Sequence, residues 1–343
     1  AAADTEGHIR YDTDESVIYY SDGSDWFKIS SVVAQLTSVT GDIYDGATST
    51  LTLAGSGFLT TNLVVNFFQS SDSIDSDVTV TPTSDIAATV TVPAAVYNNV
   101  TAGNVVSVSV TNSDGQSSGA VSKTALGLPS GGTVTTSGST RIHTFTSSGN
   151  FVVPSGFSAS AEVLLVAGGG GGGGGATNQN DGGGGGGAGG MITLSSQSIT
   201  AQTYAIVIGA GGSGGGAQTN GVSGGNTTGF GQTANGGGYG GLPNTTGANG
   251  GSGGGSGGGG STVGNANSSG TSGQGNNGGG KQSAYPYLGG GGGGKGQAGG
   301  HANKDGQNGY GGDGQVWNGT TYAGGGAGGH GTINGNHSSS DYF

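Results

Sequence analysis

The stretch that decides the fold is Ala161-Glu162-Val163-Leu164-Leu165-Val166-Ala167, which runs directly into eight glycines, Gly168 to Gly175. The apolar run predicts a strand. A strand that leads straight into glycine is not how a flexible tether begins. Because glycine loses more backbone entropy on folding than any other residue, the run is either a disordered linker or part of a lattice of hydrogen-bonded backbones.

The same pattern recurs along the rest of the chain. The sequence contains 86 glycines, of which only 15 precede Gly168, and Ile206-Val207-Ile208-Gly209 is a second junction between strand and glycine. In polyproline-II geometry there are no internal hydrogen bonds, so every N–H and C=O group points outward. Glycine helices of this kind can pack side by side and satisfy one another's backbone groups. We therefore predict a bundle of polyglycine-II helices.

The sequence between Gly168 and Gly331 can be divided into ten glycine-rich segments. They are Gly168–Gly175, Gly182–Gly190, Gly209–Gly216, Gly221–Gly231, Gly236–Gly241, Gly250–Gly260, Gly273–Gly280, Gly289–Gly300, Gly306–Gly314 and Gly324–Gly331. If these segments alternate in direction, every second connection lies at the same end. The connection Met191 to Ile208 is made of strands, so the odd connections should share the opposite end, which we call the distal end.

The distal connections predicted in this way hold much of the bulky side-chain content. Three of them are Leu242–Asn249, Lys281–Leu288 and Gln315–Ala323. Aromatic and amide side chains on turns held by a rigid scaffold are typical of recognition surfaces. The alternative is that the aromatic residues only cover the ends of the lattice. The candidate receptor-binding residues are Asn244, Lys281, Tyr285, Tyr287, Trp317 and Tyr322.

Residues Thr140 to Phe343, with their two junctions between strand and glycine, resemble the glycine-rich domain of phage tail proteins. They also resemble the polyglycine tip adhesins on the long tail fibres of T-even-like phages. The resemblance implies a non-catalytic adhesin on a virion surface, outside cells. Its loops would bind a host surface receptor, either a protein or a glycan.

The N-terminal residues 1–35 are predicted to form a small β module. Gly7-His8-Ile9-Arg10-Tyr11-Asp12 and Val17-Ile18-Tyr19-Tyr20 are β-prone, and Asp22-Gly23 is a hairpin signal. A module of this size is too small to fold alone. It resembles short modules that recur in phage tail-fibre proteins. The resemblance implies attachment to other virion or fibre proteins and a homo-oligomer, with a trimer favoured.

Residues 36–126 are predicted to form an immunoglobulin-like sandwich, because short alternating strands recur with Gly, Asn and Asp between them. Leu53-Ala54-Gly55-Ser56-Gly57-Phe58 resembles a turn of the IPT/TIG family, whose domains are usually spacers or binding modules. Residues 127–139 are expected to be a linker, and 140–343 the glycine-rich domain with a small β layer. The predicted fold class is therefore all-β.

Composition disfavours several other functions. A net charge of −12 with only seven scattered bases argues against a nucleic-acid partner. The chain has no cysteine for disulfides or a Cys zinc site. No apolar stretch is long enough to predict a membrane span. The first residues lack a signal peptide, although a processed secreted chain would look the same.

The motifs that suggest catalysis or cofactor binding are weak. The glycines before Lys295 resemble a phosphate-binding loop, but no Ser or Thr follows the lysine. His301, His330 and His337 lack the spacing of metal ligands. Glu162 has no evident acidic partner for acid–base work. We therefore expect no enzymatic activity, no cofactor and no metal site.

Two alternatives to the adhesin come from other classes of protein. The chain could be a structural subunit of an extracellular filament, or a capsid decoration protein that binds no receptor. Ice binding would require a strict Gly-x-x repeat, which the interrupted glycine pattern here does not show.

Overall fold

The computed structural model describes residues 6–12, 17–29, 33–177, 181–260, 267–281, 287–302 and 309–330. The chain divides into two compact units, residues 1–128 with 154–157, and residues 129–153 with 158–343. Within the described residues the regular structure is eighteen strands and one four-residue helix. The prediction of an all-β chain is confirmed for the described residues.

An antiparallel sheet of three strands begins the chain: β1 (Glu6–Asp12), β2 (Val17–Asp22) and β3 (Trp26–Ile29), in the order β1-β2-β3. Ile9 pairs with Tyr20, and Tyr20 pairs with Phe27. Directly paired residues lie on the same face of a sheet. These three side chains are 69%, 42% and 41% exposed, so one face of this sheet is apolar and open.

Two antiparallel sheets share one core in the rest of the first unit. The elements are β4 (Gln35–Thr40), β5 (Thr50–Ser56), β6 (Leu63–Gln69), β7 (Ile74–Val80), β8 (Ala87–Thr91), α1 (Ala94–Tyr97), β9 (Val105–Thr111) and β10 (Val121–Thr124). The strand orders are β4-β5-β8 and β10-β9-β6-β7. Leu51 and Leu53 from one sheet and Val65 and Phe67 from the other are fully buried in the same cluster. The period-2 alternation in the sequence places them there.

Asn112 fixes a loop beside this core. Its side chain is 2% exposed; Nδ2 donates to the carbonyl oxygen of Gly57 at 2.8 Å, and Oδ1 accepts from the N–H of Leu59 at 3.0 Å. One side chain thus satisfies two backbone groups of the turn that follows β5.

Asn112→Ala is expected to lower the free energy of unfolding by about 2 kcal/mol, because it leaves the backbone groups of Gly57 and Leu59 without this partner. Guanidinium denaturation followed by circular dichroism measures the change. A loss smaller than about 0.5 kcal/mol for Asn112→Ala, the level of an ordinary surface change, would contradict this role.

The strands of the second unit all pair two by two. They are β11 (Thr133–Ser137), β12 (Thr140–Thr144), β13 (Gly149–Val166), β14 (Met191–Ile206), β15 (Thr227–Gly229), β16 (Gln232–Ala234), β17 (Gln315–Trp317) and β18 (Thr320–Tyr322). β11 lies inside the segment 127–139 that was expected to be a linker, because the run Thr133-Val134-Thr135-Thr136 is rich in β-branched residues and pairs with β12. The long ribbon β13–β14 ends where Val166 pairs with Met191, at the start of the glycine.

Beyond this ribbon, thirteen extended segments within the described residues hydrogen-bond to one another. They are 168–175, 182–190, 209–216, 221–225, 236–241, 245–249, 250–258, 267–271, 274–281, 287–294, 297–302, 309–314 and 324–330. The bonds recur every third residue: the N–H of Gly170 donates to Gly187 O at 2.8 Å and that of Gly173 to Gly184 O at 2.9 Å. Successive segments alternate in direction, so the glycine-rich sequence is an ordered scaffold.

Glycine content predicts ten segments, and the three additional ones in the structure have clear causes. The segment 245–249 contains little glycine, yet the N–H of Gly254 donates to Ala248 O at 2.9 Å. The segment 267–271 is serine-rich, and the N–H of Gly278 donates to Ser268 O at 3.0 Å. The predicted segment Gly289–Gly300 reverses at a turn closed by the bond from Gly294 N–H to Gln297 O, 2.8 Å.

Close backbone packing explains why the interior of the scaffold is glycine. We call 182–190 the central segment; all of its residues are buried. A Cβ atom at Gly186 would lie well inside 3.0 Å of Gly170 O, and one at Gly184 would lie equally close to Gly255 O. Backbone atoms cannot move aside as a flexible side chain can, so these positions exclude every other residue.

Candidate functional site

Four residues from three connections lie at the distal end of the glycine scaffold. We call Asp181, Asn244, Lys281 and Tyr287 the distal cluster. Asp181 immediately precedes the central segment, where the N–H of Gly182 donates to Tyr287 O at 2.9 Å. Asn244 follows the segment 236–241, and Lys281 ends the segment 274–281. Because the segments alternate in direction, all four lie at the end away from the β13–β14 ribbon.

One hydrogen bond joins two members of the distal cluster, and the scaffold backbone positions the others beside them. Lys281 Nζ donates to Asn244 Oδ1 at 3.4 Å. Asn244 has a left-handed backbone with φ 66°, and its N–H donates to Gly258 O at 2.9 Å. The hydroxyl of half-buried Tyr287 lies beside Gly260, where a Cβ atom would be 3.1 Å from Tyr287 Oη. The backbone register of the scaffold therefore positions these side chains.

Two opposite charges are buried in the distal cluster. Asp181 is 4% exposed and Lys281 is 5% exposed. Burial raises the pKa of the Asp181 carboxyl, and the nearby Lys281 charge opposes that shift. Burial also lowers the pKa of Lys281, against the opposing effect of Asp181. Among the described residues, Asp181 Oδ1 is buried and has no hydrogen-bond partner, which adds to the cost of ionising this carboxyl.

Asp181 was not among the binding residues predicted from the sequence, although a signal for it exists. Asp181 is the only charged residue between Glu162 and Lys281. An isolated charge in so long an uncharged stretch, followed by another at its end, would have suggested that the two meet.

The other aromatic candidates do not join the distal cluster. Tyr285 lies outside the described residues. Trp317 and Tyr322 are half-buried and belong to the β17–β18 hairpin. The turn of that hairpin is Asn318-Gly319, with φ 46° and 80°, which is the two-residue turn that suits paired strands.

Hydrogen bonds place this hairpin at the end of the scaffold next to the β13–β14 ribbon, which we call the strand end. Ala323, next to β18, accepts from Lys295 N–H at 2.8 Å, and Lys295 Nζ donates to Gly273 O at 2.5 Å. The adjacent Gln274 accepts from the N–H of Met191, the first residue of β14, at 3.0 Å. The prediction that Gln315–Ala323 lies at the distal end is wrong, because three uncounted segments precede this connection.

In the part of the chain that the structure describes, no three His, Asp or Glu side chains are grouped as a metal site would require. No helix in the same part of the chain is long and apolar enough to cross a membrane.

Comparison with known proteins gives one result. No curated protein and no solved structure matches the chain. A family model described as a glycine-rich domain matches residues 144–341, which is more than half of the sequence. The match begins in β12 and includes the β13–β14 ribbon and all thirteen segments. The chain therefore belongs to the glycine-rich domain family.

Proposed function

We propose that this chain is an adhesin of a phage tail fibre or other virion surface, and that it binds a receptor on a bacterial host cell through the distal cluster. The observation that carries the proposal is the meeting of Asp181, Asn244, Lys281 and Tyr287 on one end of a backbone-bonded scaffold. An aromatic ring beside charged and amide groups suits a glycan or a protein loop. The proposed role is attachment without catalysis, outside cells.

The scaffold is proposed to be a bundle of polyglycine-II helices. Hydrogen bonds that recur every third residue and run between segments agree with a helix of three residues per turn without internal bonds. Such a scaffold has few side chains of its own, so recognition depends on residues in the turns.

The first unit is proposed to supply a spacer and an assembly module. Two antiparallel sheets around one core support an immunoglobulin-like domain of the IPT/TIG type. The open apolar face of β1–β3 supports attachment to other fibre proteins or to further copies of the chain.

Binding of the fluorescently labelled full-length protein to intact cells of a panel of bacterial strains tests this function. Tyr287→Ala should weaken binding by about tenfold or more, since aromatic anchors dominate interfaces. Trp317→Ala and Tyr322→Ala are matched controls at the strand end and should change binding by less than about twofold. Absence of binding to every strain, or loss of binding only in the strand-end variants, would contradict the proposal.

The open face of β1–β3 also favours a second candidate, a structural subunit of a filament or capsid decoration. Electron microscopy of the purified protein separates the two functions. Regular self-assembly together with no cell binding would favour the structural subunit. Cell binding that depends on Tyr287 would favour the adhesin.

A further inference from the structure

Among the described residues, nothing occupies one of the neighbour positions around the central segment. Its backbone bonds to five other segments: 168–175, 236–241, 250–258, 287–294 and 324–330. The N–H groups of Gly182, Gly185 and Ala188 donate to one neighbour, and those of Gly184, Gly187 and Gly190 donate to the segment 236–241 and its flanking Asn235. The remaining third, those of Gly183, Gly186 and Gly189, have no acceptor among the described residues.

Two of these three glycines, Gly186 and Gly189, line a groove. It has a volume of about 490 Å³ and lies between the first segment (168–175), the central segment and the last segment (324–330). A Cβ atom at Gly172 would lie 3.9 Å from Gly186 N, and one at Gly326 would lie 3.3 Å from the same nitrogen. The unpaired donors of a buried segment therefore face the space between its two flanking neighbours.

Acceptors complete the groove on both sides. Within the described residues, no N–H donates to the carbonyl oxygens of Gly170 and Gly173 on the first segment. The same holds for the carbonyl oxygens of Gly324 and Ala327 on the last segment. Buried backbone groups in proteins are nearly always paired. The period of three places these oxygens toward the groove, where an extended chain could bond to all three segments.

We propose that this groove binds one extended glycine-rich segment of another chain, which completes the ring of six around the central segment. The occupant must carry N–H groups to donate to the flanking carbonyls, which excludes proline-rich chains. At least two of every three of its residues must be glycine, because a Cβ facing a neighbouring segment would collide as it would at Gly186. Residues 331–343 of this chain do not meet this requirement, since only Gly331 and Gly335 are glycine.

Calorimetric titration of the full-length protein with the neutral peptide (Gly-Gly-Ser)₃ tests the proposal. We expect a dissociation constant on the order of millimolar, because a flexible peptide loses backbone entropy when it is ordered. The peptide (Pro-Pro-Ser)₃ has a similar extended shape and few N–H donors, so it should not bind.

A substitution that fills the groove and a matched control show where the peptide binds. Gly172→Leu places a side chain in the groove at a position where the Cβ atom has room, 3.5 Å from its nearest neighbour. Gly214→Leu adds the same side chain on a different, exposed segment, where the nearest atom is 3.8 Å away. Gly172→Leu should weaken binding by about tenfold or more and Gly214→Leu by less than about twofold.

Three results would overturn the proposal: no heat of binding at millimolar (Gly-Gly-Ser)₃, equal binding of the proline peptide, or binding that Gly172→Leu leaves unchanged. Because the groove involves none of the distal cluster, these results are independent of host-cell binding.

Discussion

Gly186→Ala is expected to lower the free energy of unfolding of the glycine-rich unit by about 4 kcal/mol or more. The new Cβ atom would lie well inside 3.0 Å of Gly170 O. The central segment is enclosed by five neighbours, so the clash can be relieved only by separating backbones and breaking several hydrogen bonds. Denaturation followed by the fluorescence of Trp317, in a Trp26→Phe background, reports on this unit.

Gly172→Ala is the matched control for this change. Its Cβ atom would face the groove, 3.5 Å from Gly184 O, and its φ is not in the left-handed region. Such a substitution should be neutral or stabilise by up to about 1 kcal/mol, because alanine restricts the unfolded chain. Equal effects at the two positions would contradict the close-packed scaffold.

Lys281→Met is expected to destabilise the glycine-rich unit by about 1 to 3 kcal/mol at pH 7, because it removes the positive charge that offsets burial of the nearby Asp181 carboxylate. The double variant Asp181→Asn/Lys281→Met removes both charges and should recover most of the loss. Denaturation followed by Trp317 fluorescence measures the stability of both variants. A double variant as unstable as Lys281→Met would contradict the role of charge burial.

The pH dependence of these variants follows from the direction of the two shifts. Burial raises the pKa of Asp181 above 3.8, so its stabilising contribution is full below pH 3.8 and is lost as pH rises through the folded pKa. The pKa of Lys281 is lowered from 10.5, so its contribution is present above pH 10.5 and is lost as pH falls through the folded pKa. At pH 7, burial of each of the two charges lowers the free energy of unfolding. The loss in Lys281→Met should therefore shrink as pH falls through the folded pKa of Asp181, which lies above 3.8.

The strands were the most predictable part of the fold. Period-2 alternation predicted short strands in residues 36–126, where Leu51 and Leu53 are buried in a core shared by two sheets, and the apolar run at Val163 to Val166 predicted a strand entering glycine. The strand Thr133–Ser137 was missed because flanking glycines made the segment resemble a linker.

The distal site was only partly predictable. Asn244, Lys281 and Tyr287 lie at the distal end, whereas Trp317 and Tyr322 lie at the strand end. The error arose because extended segments are defined by inter-segment hydrogen bonds rather than by glycine content. Serine, threonine and alanine can occupy outer segments, so the sequence does not reveal their number, and an odd miscount reverses every later connection.

Hydrogen exchange of the native full-length protein tests the central claim most directly, namely that glycine here is a hydrogen-bonded scaffold and not a linker. Mass spectrometry of a fragment covering 182–190 counts the slowly exchanging amides. The structure predicts that six of the nine are protected and that those of Gly183, Gly186 and Gly189 exchange fast. Uniformly fast exchange across 182–190 would contradict the scaffold and, with it, the site that it positions.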